Sequence, residues 1–287
     1  MAKVREEMFF FDGGRGKRLL GFLHAPEGAR AGLVYCHPFA EERNQSQGVA
    51  VRSARRLADG GCAVLRFDFS GCGDSDGSLA EADAGEWIAE IGTALSELRA
   101  RTGLAKVGVW GLRMGANLAA RYADGRSDLS LGVFWQPMPD LKIALTQFLR
   151  QKLGTQMASN AVHASNAAGP AGAPAAAVSV KSLVQQLAEG ETVEVMGYPL
   201  RQRLYASLLE GDVPFASRRF AFPACLVAFG EDETPPESMR RIHEALAPAH
   251  PGLALVHARE IPFWDRYWRW EGPSAAEETA RWVATAA

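Results

Sequence analysis

The pentapeptide Gly111-Leu112-Arg113-Met114-Gly115 constrains the fold of this chain more than any other feature. The apolar run Val107–Trp110 before it predicts a buried parallel strand, and Ala116–Tyr122 after it is typical of a helix. Two glycines at this spacing let a strand and a helix approach closely through a strained turn. The turn places its middle residue, Arg113, at the N-terminus of the helix.

Length and composition are those of one large α/β domain with an insertion. The chain has 287 residues, of which 47% are hydrophobic and 22% charged. Its 31 basic and 33 acidic residues are mixed, which argues against a nucleic-acid or anionic membrane surface. No apolar run reaches the ~18 residues of a membrane span, and the first residues lack an apolar signal core. We therefore expect a cytoplasmic protein.

The four cysteines indicate neither a metal site nor a disulfide framework. Cys36, Cys62, Cys72 and Cys225 lack the spacing that either would require. Three lie in or beside predicted strands, where a free thiol behaves as a small apolar side chain. We expect no metal, no cofactor and a reducing compartment.

Apolar runs along the chain alternate with helical patterns. A hairpin is predicted from Met8–Phe11 and Arg18–Leu23, which flank the turn signal Asp12-Gly13-Gly14. The six further predicted strands are Gly32–His37, Cys62–Phe69, Val107–Trp110, Leu131–Trp135, Cys225–Phe229 and Leu253–Ile261. The predicted helices include Val49–Asp59, Glu86–Arg99, Leu141–Leu153, Lys181–Leu187, Gln202–Leu209 and Ser274–Ala286. This order predicts an α/β fold with a mostly parallel sheet covered by helices on both faces.

The alternation stops after Pro139, which predicts an inserted cap. We expect residues 1–139 and 216–287 to form the two parts of the core and residues 140–215 to form the cap. Within the cap, residues 158–177 are rich in alanine and glycine and almost uncharged, which predicts a flexible surface loop. The segment Thr192–Met196 is typical of a strand.

Three further motifs suggest a family. Tyr35–Phe39 ends a strand, Arg66–Gly77 holds the pattern Asp-x-x-Gly-x-Gly-x-Ser-x-Gly, and Gly230–Pro235 follows a late strand. Together with the pentapeptide, these motifs resemble the α/β-hydrolase superfamily, most of all its feruloyl-esterase-like branch, over about three quarters of the chain. The resemblance implies the α/β-hydrolase fold with about eight strands and an inserted cap.

A narrower resemblance rests on the Gly-Leu-Arg-x-Gly pentapeptide together with Gly190–Tyr198 and Pro262–Trp264. This combination resembles the exosortase A system-associated hydrolases of the second type. The resemblance implies a bacterial cytoplasmic protein encoded beside exopolysaccharide and protein-sorting genes, with a possible protein partner from that system. It implies no particular substrate.

In that superfamily the middle residue of the pentapeptide is the catalytic nucleophile, and here it is Arg113. A guanidinium cannot act as a nucleophile at ordinary pH. Three interpretations stay open: a degenerate site, a site that binds a carboxylate or phosphate at Arg113 and the helix N-terminus, and unconventional catalysis.

The histidine that would act as the base is also missing from its expected loop. Arg259–Asp265 follows the last strand and contains no histidine, and His257 falls inside the predicted strand. The other histidines besides His37, namely His24, His163, His243 and His250, lie elsewhere. We therefore expect no histidine within hydrogen-bond reach of a serine or cysteine in the cleft.

The position of the triad acid does retain carboxylates, Asp232 and Glu233. Without a histidine to orient, one of them is expected to pair with Arg113, to cap the helix that begins near Glu237, or to be solvated. The second choices as partners of Arg113 are Asp265 and Glu260. The segment Glu41–Asn44 is interpreted as a solvated charged turn, with a place at the pocket mouth as the alternative.

The expected oxyanion donors are the backbone N–H groups of Phe39 and Met114. His37 is expected to orient their loop, with a role as base as a minor alternative. Phe263 and Trp264 begin an aromatic cluster that continues through Tyr267, Trp268 and Trp270. This cluster is expected either to pack in the core or to line an apolar cleft suited to an acyl chain or a sugar ring.

Two functions remain at this point. The first is an esterase, thioesterase or acyltransferase that acts on an acylated precursor, which rests on the family resemblance. The second is a protein that binds a small anionic or acyl ligand without turnover, which rests on Arg113 and the missing histidine. The residues themselves favour the second.

Overall fold

One eight-stranded sheet organises the chain, as predicted. The structure is a computed structural model that describes residues 3–166, 178–266 and 271–286. The strands are β1 (Val4–Gly14), β2 (Lys17–Pro26), β3 (Ala31–Cys36), β4 (Cys62–Phe67), β5 (Gly108–Leu112), β6 (Gly132–Trp135), β9 (Ala224–Phe229) and β10 (Ala254–Ala258). Their order in the sheet is β1-β2-β4-β3-β5-β6-β9-β10. The β1–β2 hairpin is antiparallel and β2 runs antiparallel to β4, whereas all the other neighbours are parallel.

Helices cover both faces of this sheet. They are α1 (Glu41–Asp59), α2 (Ala84–Thr102), α3 (Met114–Ala123), α4 (Leu141–Asn166), α5 (Val180–Ala188), α6 (Gln202–Leu209), α7 (Glu237–Leu246) and α8 (Pro273–Ala286). One core layer contains Trp87 and Leu118, which place α2 and α3 on one face. The other layer contains Leu57 and Val283, which place α1 and α8 on the opposite face. The predicted two-sided α/β arrangement is confirmed.

The segment between β6 and β9 holds α4, α5, α6 and a small antiparallel hairpin of β7 (Val193–Val195) and β8 (Tyr198–Leu200). The hairpin extends the single strand predicted at Thr192–Met196. Helix α4 continues to Asn166, so the loop predicted from residue 158 is wrong for its first part, because alanine favours helix. Residues 167–177 of that prediction lie outside the described residues. The division at 140 and 215 stays a prediction.

Helix α1 begins at Glu41 rather than near Val49. The first turns are polar, so the apolar spacing from which the helix was predicted is absent there. Glu41 and Glu42 nevertheless suit a helix N-terminus, because acidic side chains interact favourably with the positive end of the helix dipole. Because α1 begins this early, Glu41 and Glu42 lie near the C-terminal end of β3.

None of the helices in the described ranges combines the length and the hydropathy needed to cross a bilayer.

The two glycines of the pentapeptide hold α3 against the sheet. A Cβ atom on Gly111 would lie 2.6 Å from the Cα of Ala116, and one on Gly115 would lie 2.2 Å from the carbonyl oxygen of Cys36. Both contacts involve backbone atoms, which cannot move aside as a flexible side chain can. The strand-to-helix turn predicted from the sequence therefore depends on the absence of side chains at both positions.

We expect the Gly115→Ala variant to unfold at a lower urea concentration than the wild type. The added methyl group would push α3 away from the end of β3, which lowers the free energy of unfolding by about 1–3 kcal/mol. The matched control is Gly154→Ala, because a Cβ atom at this position of α4 has open space around it. That change should stabilise the protein by about 0.5–1 kcal/mol. Equal stabilities for the two variants would contradict this account of the turn.

Candidate active site

Two strained turns meet at the carboxyl edge of the sheet. Arg113, between β5 and α3, has φ 54° and ψ −123°, and Ala40, immediately before α1, has φ 52° and ψ −129°. Such a backbone is costly for a residue with a side chain and is typical of functional sites. Neither residue caps its helix through a side chain. The N-termini of α1 and α3 therefore both present free amides to the space between them.

This space is a cavity of about 190 Å³. Its walls are formed by the N-termini of α1 and α3, the first turns of α4 and the segment after β10. The apolar lining residues are Phe39, Ala40, Met114, Met138, Ala144, Phe148 and Trp264, and the polar ones are Glu41, Glu42, Arg113, Gln147, Gln151 and Asp265. A cavity that combines charged groups with aromatic side chains suits a ligand with a polar head and an apolar body.

The Arg113 side chain lies in this cavity and pairs with Glu42. Its Nε and Nη2 atoms donate to Oε1 of Glu42 at 3.2 and 3.1 Å, and Nη2 also donates to Oε1 of Gln147 at 3.4 Å. The guanidinium carbon lies 5.2 Å from the ring centre of Trp264. The prediction that Arg113 points into the cleft and meets an acid agrees with this geometry.

The predicted partners of Arg113 were wrong. Asp232 and Glu233 are exposed in the segment before α7, and the N-cap of α7 is Pro236, so they do not cap that helix either. Asp265 lines the cavity but pairs with Arg266 at 3.6 Å. Glu260 accepts a hydrogen bond from the Ser274 amide at the start of α8.

The interpretation of Glu41–Asn44 as a solvated turn was wrong as well. These residues form the first turn of α1, and the strained backbone of Ala40 directs this turn toward Arg113. The only sequence signal for Glu42 was its position shortly after Phe39, whose backbone N–H group was an expected oxyanion donor.

Burial raises the pKa of the Glu42 carboxyl above its ordinary value of 4.5. The charge of Arg113 and its hydrogen bonds oppose this rise, and the nearby carboxylate of Asp265 adds to it. Among the described lining residues, the cavity thus holds one cation beside three carboxyl groups, those of Glu41, Glu42 and Asp265. An incoming anion would have to take the place of Glu42 on Arg113.

The amides of Phe39 and Met114 border the cavity, at the two turns where the sequence predicted oxyanion donors. Within the part of the chain that the structure describes, neither amide donates to another protein group. Both lie at or next to a helix N-terminus, where N–H groups are oriented toward a bound oxygen atom. They can therefore receive a carboxylate, a phosphate or a carbonyl oxygen.

His37 holds the loop and is poorly placed to act as a base. Its Nδ1 lies 2.7 Å from the carbonyl oxygen of Pro38, and its Nε2 accepts a hydrogen bond from the Phe69 amide at 3.3 Å. Burial lowers its pKa to about 4. Both ring nitrogens are thus engaged by backbone, which does not favour the minor alternative of His37 as a base; that alternative stays a prediction. Its geometry is that of a loop-orienting residue.

The remaining histidines serve local structure or lie away from the cavity. The ring of His24 contacts Glu6, His243 contacts the Leu253 carbonyl, and His250 contacts the carbonyls of Phe220 and Arg218. His257 lies in β10 as expected, and His163 lies in α4. Among the described side chains, no histidine bonds to a serine or cysteine.

Of the two aromatic residues that follow β10, one lies in the core and the other lines the cavity. Phe263 is fully buried against Trp135 and Phe229, so of its two expected places it takes the core and not the ligand cleft. Trp264 does line the cavity, beside Arg113. Residues 267–270, which include the other predicted aromatic residues, lie outside the described residues.

The cap also contacts the first turn of α1, through Tyr198. Its hydroxyl donates to Oε2 of Glu41 at 3.0 Å and accepts from the side-chain amide of Asn44 at 2.8 Å. Gln147 of α4 reaches Arg113 from the cap as well. Sequence reasoning found neither contact, because each joins segments that are far apart in the chain.

Comparison with known proteins agrees with the fold. Over 94 residues the chain is 31% identical to the mitochondrial palmitoyl-protein thioesterase ABHD10 of Rattus norvegicus, a match that spans 29% of this chain and 31% of that protein. The solved structures that resemble it include Est1E of Butyrivibrio proteoclasticus with bound ferulic acid (TM-score 0.63, 15% identity, 97% of this chain and 98% of that one). Mouse ABHD10 gives a TM-score of 0.62 at 14% identity, with 97% of each chain covered.

The profile of the family described as serine aminopeptidase, S33 matches residues 27–255, from just after β2 to the start of β10. This range includes the Arg113 turn, the cap and the Gly230 loop. With an eight-stranded sheet and structural neighbours that are α/β-hydrolases, the chain has the α/β-hydrolase fold and belongs to the serine aminopeptidase S33 family.

Proposed function

We propose that this protein binds a small acyl ligand with a carboxylate or phosphate head in the Arg113 cleft and does not perform ordinary triad hydrolysis. The observation that carries the proposal is the Arg113–Glu42 ion pair. It occupies the turn from which a serine nucleophile attacks in enzymes of this fold.

The chemistry of the cleft supports binding rather than hydrolysis. Acyl transfer by a triad needs a nucleophile that a base can deprotonate. Arg113 supplies neither a hydroxyl nor a thiol, and His37, the histidine nearest in sequence to the oxyanion loop, is bonded to backbone. The arrangement does provide a cation and two free amides, which are the groups that hold an anion.

Glu42 serves in this proposal as an internal substitute for the head group of the ligand. A carboxylate that enters the cleft takes over the hydrogen bonds from Arg113, and Glu42 is released. Phe148 and Trp264 contact the apolar body of the ligand. Because the cavity carries three carboxyl groups, proton uptake by Glu42 accompanies the exchange.

The cellular context is proposed from the motif resemblance. We place the protein in the cytoplasm of a bacterium that exports polysaccharide and sorts proteins, with a protein of that system as a possible partner. The alternative function is an esterase, thioesterase or acyltransferase with a non-standard site. It is favoured by the two free amides, by the esterase fold of Est1E and by the thioesterase named among the relatives.

Calorimetric titration with hexanoate and hexyl phosphate tests the role of Arg113. Arg113→Ala should weaken binding by about 1.5–3 kcal/mol, the usual size of a charge-assisted hydrogen bond. Glu42→Gln should tighten binding, because it removes the competing carboxylate. Arg240→Ala, on the exposed face of α7, is the matched control and should bind as the wild type does. Equal binding by wild type and Arg113→Ala would eliminate the proposed site.

The pH dependence of binding tests the exchange at Glu42. The probe is hexanesulfonate, which stays ionised at all the pH values used. Because binding takes Arg113 away from Glu42 and favours the protonated carboxyl, affinity should rise as the pH falls from about 8 to about 5. In Glu42→Gln this rise should be much smaller. The same rise in both proteins would assign the effect to another group, such as Asp265 or Glu41, and refute the exchange.

An assay with short-chain nitrophenyl esters and a fluorophosphonate probe separates binding from turnover. We expect no labelling and no hydrolysis above background in the wild type. Arg113→Ser should also stay inactive, because none of the histidine side chains that the structure describes is placed to deprotonate the new hydroxyl. Wild-type turnover that is lost in His37→Ala would establish the enzymatic alternative instead.

A further inference from the structure

The apolar side chains of the Arg113 cleft are more deeply buried than its polar ones. Met114, Met138, Ala144 and Phe148 all line the cavity and are buried. The polar residues of the described lining, Arg113 among them, are half-buried or exposed. A ligand whose head group binds Arg113 therefore directs its apolar chain toward the buried side chains, because this direction removes the chain from water.

Two aromatic rings lie between these buried side chains and the hydrophobic core. Phe148 of α4 packs edge-on against Phe39, which follows β3, with 4.9 Å between the ring centres. The ring of Phe39 lies in turn 6.2 Å from that of Trp87, a fully buried core residue. Phe148 is 7% exposed and Phe39 is 8% exposed. A ligand chain that extends inward therefore meets closely packed rings at this point.

Helix α4 presents a small and then a large side chain to the cavity. Ala144 and Phe148 are four residues apart, so they lie one turn from each other on the same face of the helix. The same helix contacts the head-group end of the site, because Gln147 accepts a hydrogen bond from Arg113. Leu149 is also buried but packs in the core, outside the cavity lining. Position 148 is thus where α4 limits the space beside Ala144.

The volume of the cavity indicates how long a ligand it can hold. It measures about 190 Å³. A protein cavity of ~150 Å³ holds benzene, which has six non-hydrogen atoms. In proportion, the cleft has room for about eight non-hydrogen atoms, the number in hexanoate.

We propose that Phe148 determines the chain length of the ligand, so that the cleft selects acids or phosphate esters with short chains, of about six carbon atoms at most. The inference rests on the function proposed above. The anionic head binds Arg113 and the free amides, the chain lies along Ala144, and the ring of Phe148 marks its end. Methylene groups beyond this length find no apolar surface to bury.

Calorimetric titration of the wild type with straight-chain carboxylates, from butanoate to decanoate at constant pH, tests the length limit. Affinity should rise about fourfold with each methylene group up to hexanoate, because each group buries apolar surface. From hexanoate to decanoate it should not rise further. A rise that continues through decanoate would overturn the proposal, because the chain would then extend past the exposed residues of the cavity instead of ending at Phe148.

Phe148→Ala should move the limit to longer chains. In this variant octanoate should bind about tenfold more tightly than hexanoate, whereas the wild type should bind the two alike. The matched control is Leu149→Ala, which removes a buried apolar side chain from the same helix without enlarging the cavity. It should keep the wild-type limit, because a general loosening of α4 changes the affinity for all chain lengths alike.

Ala144→Leu should move the limit in the opposite direction, because the larger side chain fills the space before Phe148. Hexanoate should then bind no more tightly than butanoate. If Phe148→Ala does not fold, Ala144→Leu and the wild-type series decide.

The outcomes separate this inference from the proposed function. Binding that is lost in Arg113→Ala, with a length limit that neither Phe148→Ala nor Ala144→Leu moves, would overturn the role of Phe148 and leave the anion site in place. A limit that moves equally in Leu149→Ala would overturn it too. If none of the chains binds in an Arg113-dependent manner, both proposals fail.

Discussion

The close approach of α3 to the ends of β3 and β5 is the constraint on which the rest of the site depends. The Cα of Gly115 lies so near the carbonyl oxygen of Cys36 that even a methyl group would not fit. This contact fixes the turn at Arg113 beside the loop that ends in Ala40, and it brings two helix N-termini to one cavity. The fold thus creates a place of positive electrostatic potential before any charged side chain contributes. This potential opposes a cation at position 113, so a basic residue there needs a counter-charge nearby.

Arginine at this position adds a full charge to a site that already attracts anions. An uncompensated guanidinium with most of its surface buried is unfavourable, and Glu42 in the first turn of α1 supplies the counter-charge. The partner comes from the neighbouring helix start because the two strained turns are adjacent in space. The pair also connects the cleft to the cap: Gln147 bonds to Arg113, and Tyr198 bonds to Glu41 beside Glu42. A ligand that displaces Glu42 would therefore alter contacts that hold the cap.

Much of the fold could be predicted because it is encoded locally. Apolar runs such as Val107–Trp110 and the glycine spacing around Arg113 carry their own signal, and the eight strands and the sharp turn followed from them. The partner of Arg113 could not be predicted in this way. Sequence order and the family pattern favoured the loop after β9, whereas the actual partner depends on where α1 begins, which is set by the backbone of Ala40. Phe263 and Trp264 illustrate the same limit, because adjacent residues point to different surroundings and only packing decides which one enters the core.

The proposed binding function uses parts of the site that do not depend on the side chain at the turn. The amides of Phe39 and Met114 are properties of the backbone and survive any change of side chain at position 113. Donors that stabilise an oxyanion in a transition state also stabilise a resident carboxylate, since both are oxygen anions held by N–H groups. With a serine at the turn such donors lower a reaction barrier, and under the proposed function, with an arginine there, they hold a ligand in its ground state. In this proposal, arginine in place of the nucleophile changes the site from one that favours a transition state to one that favours a bound anion, while the fold and the backbone donors stay the same.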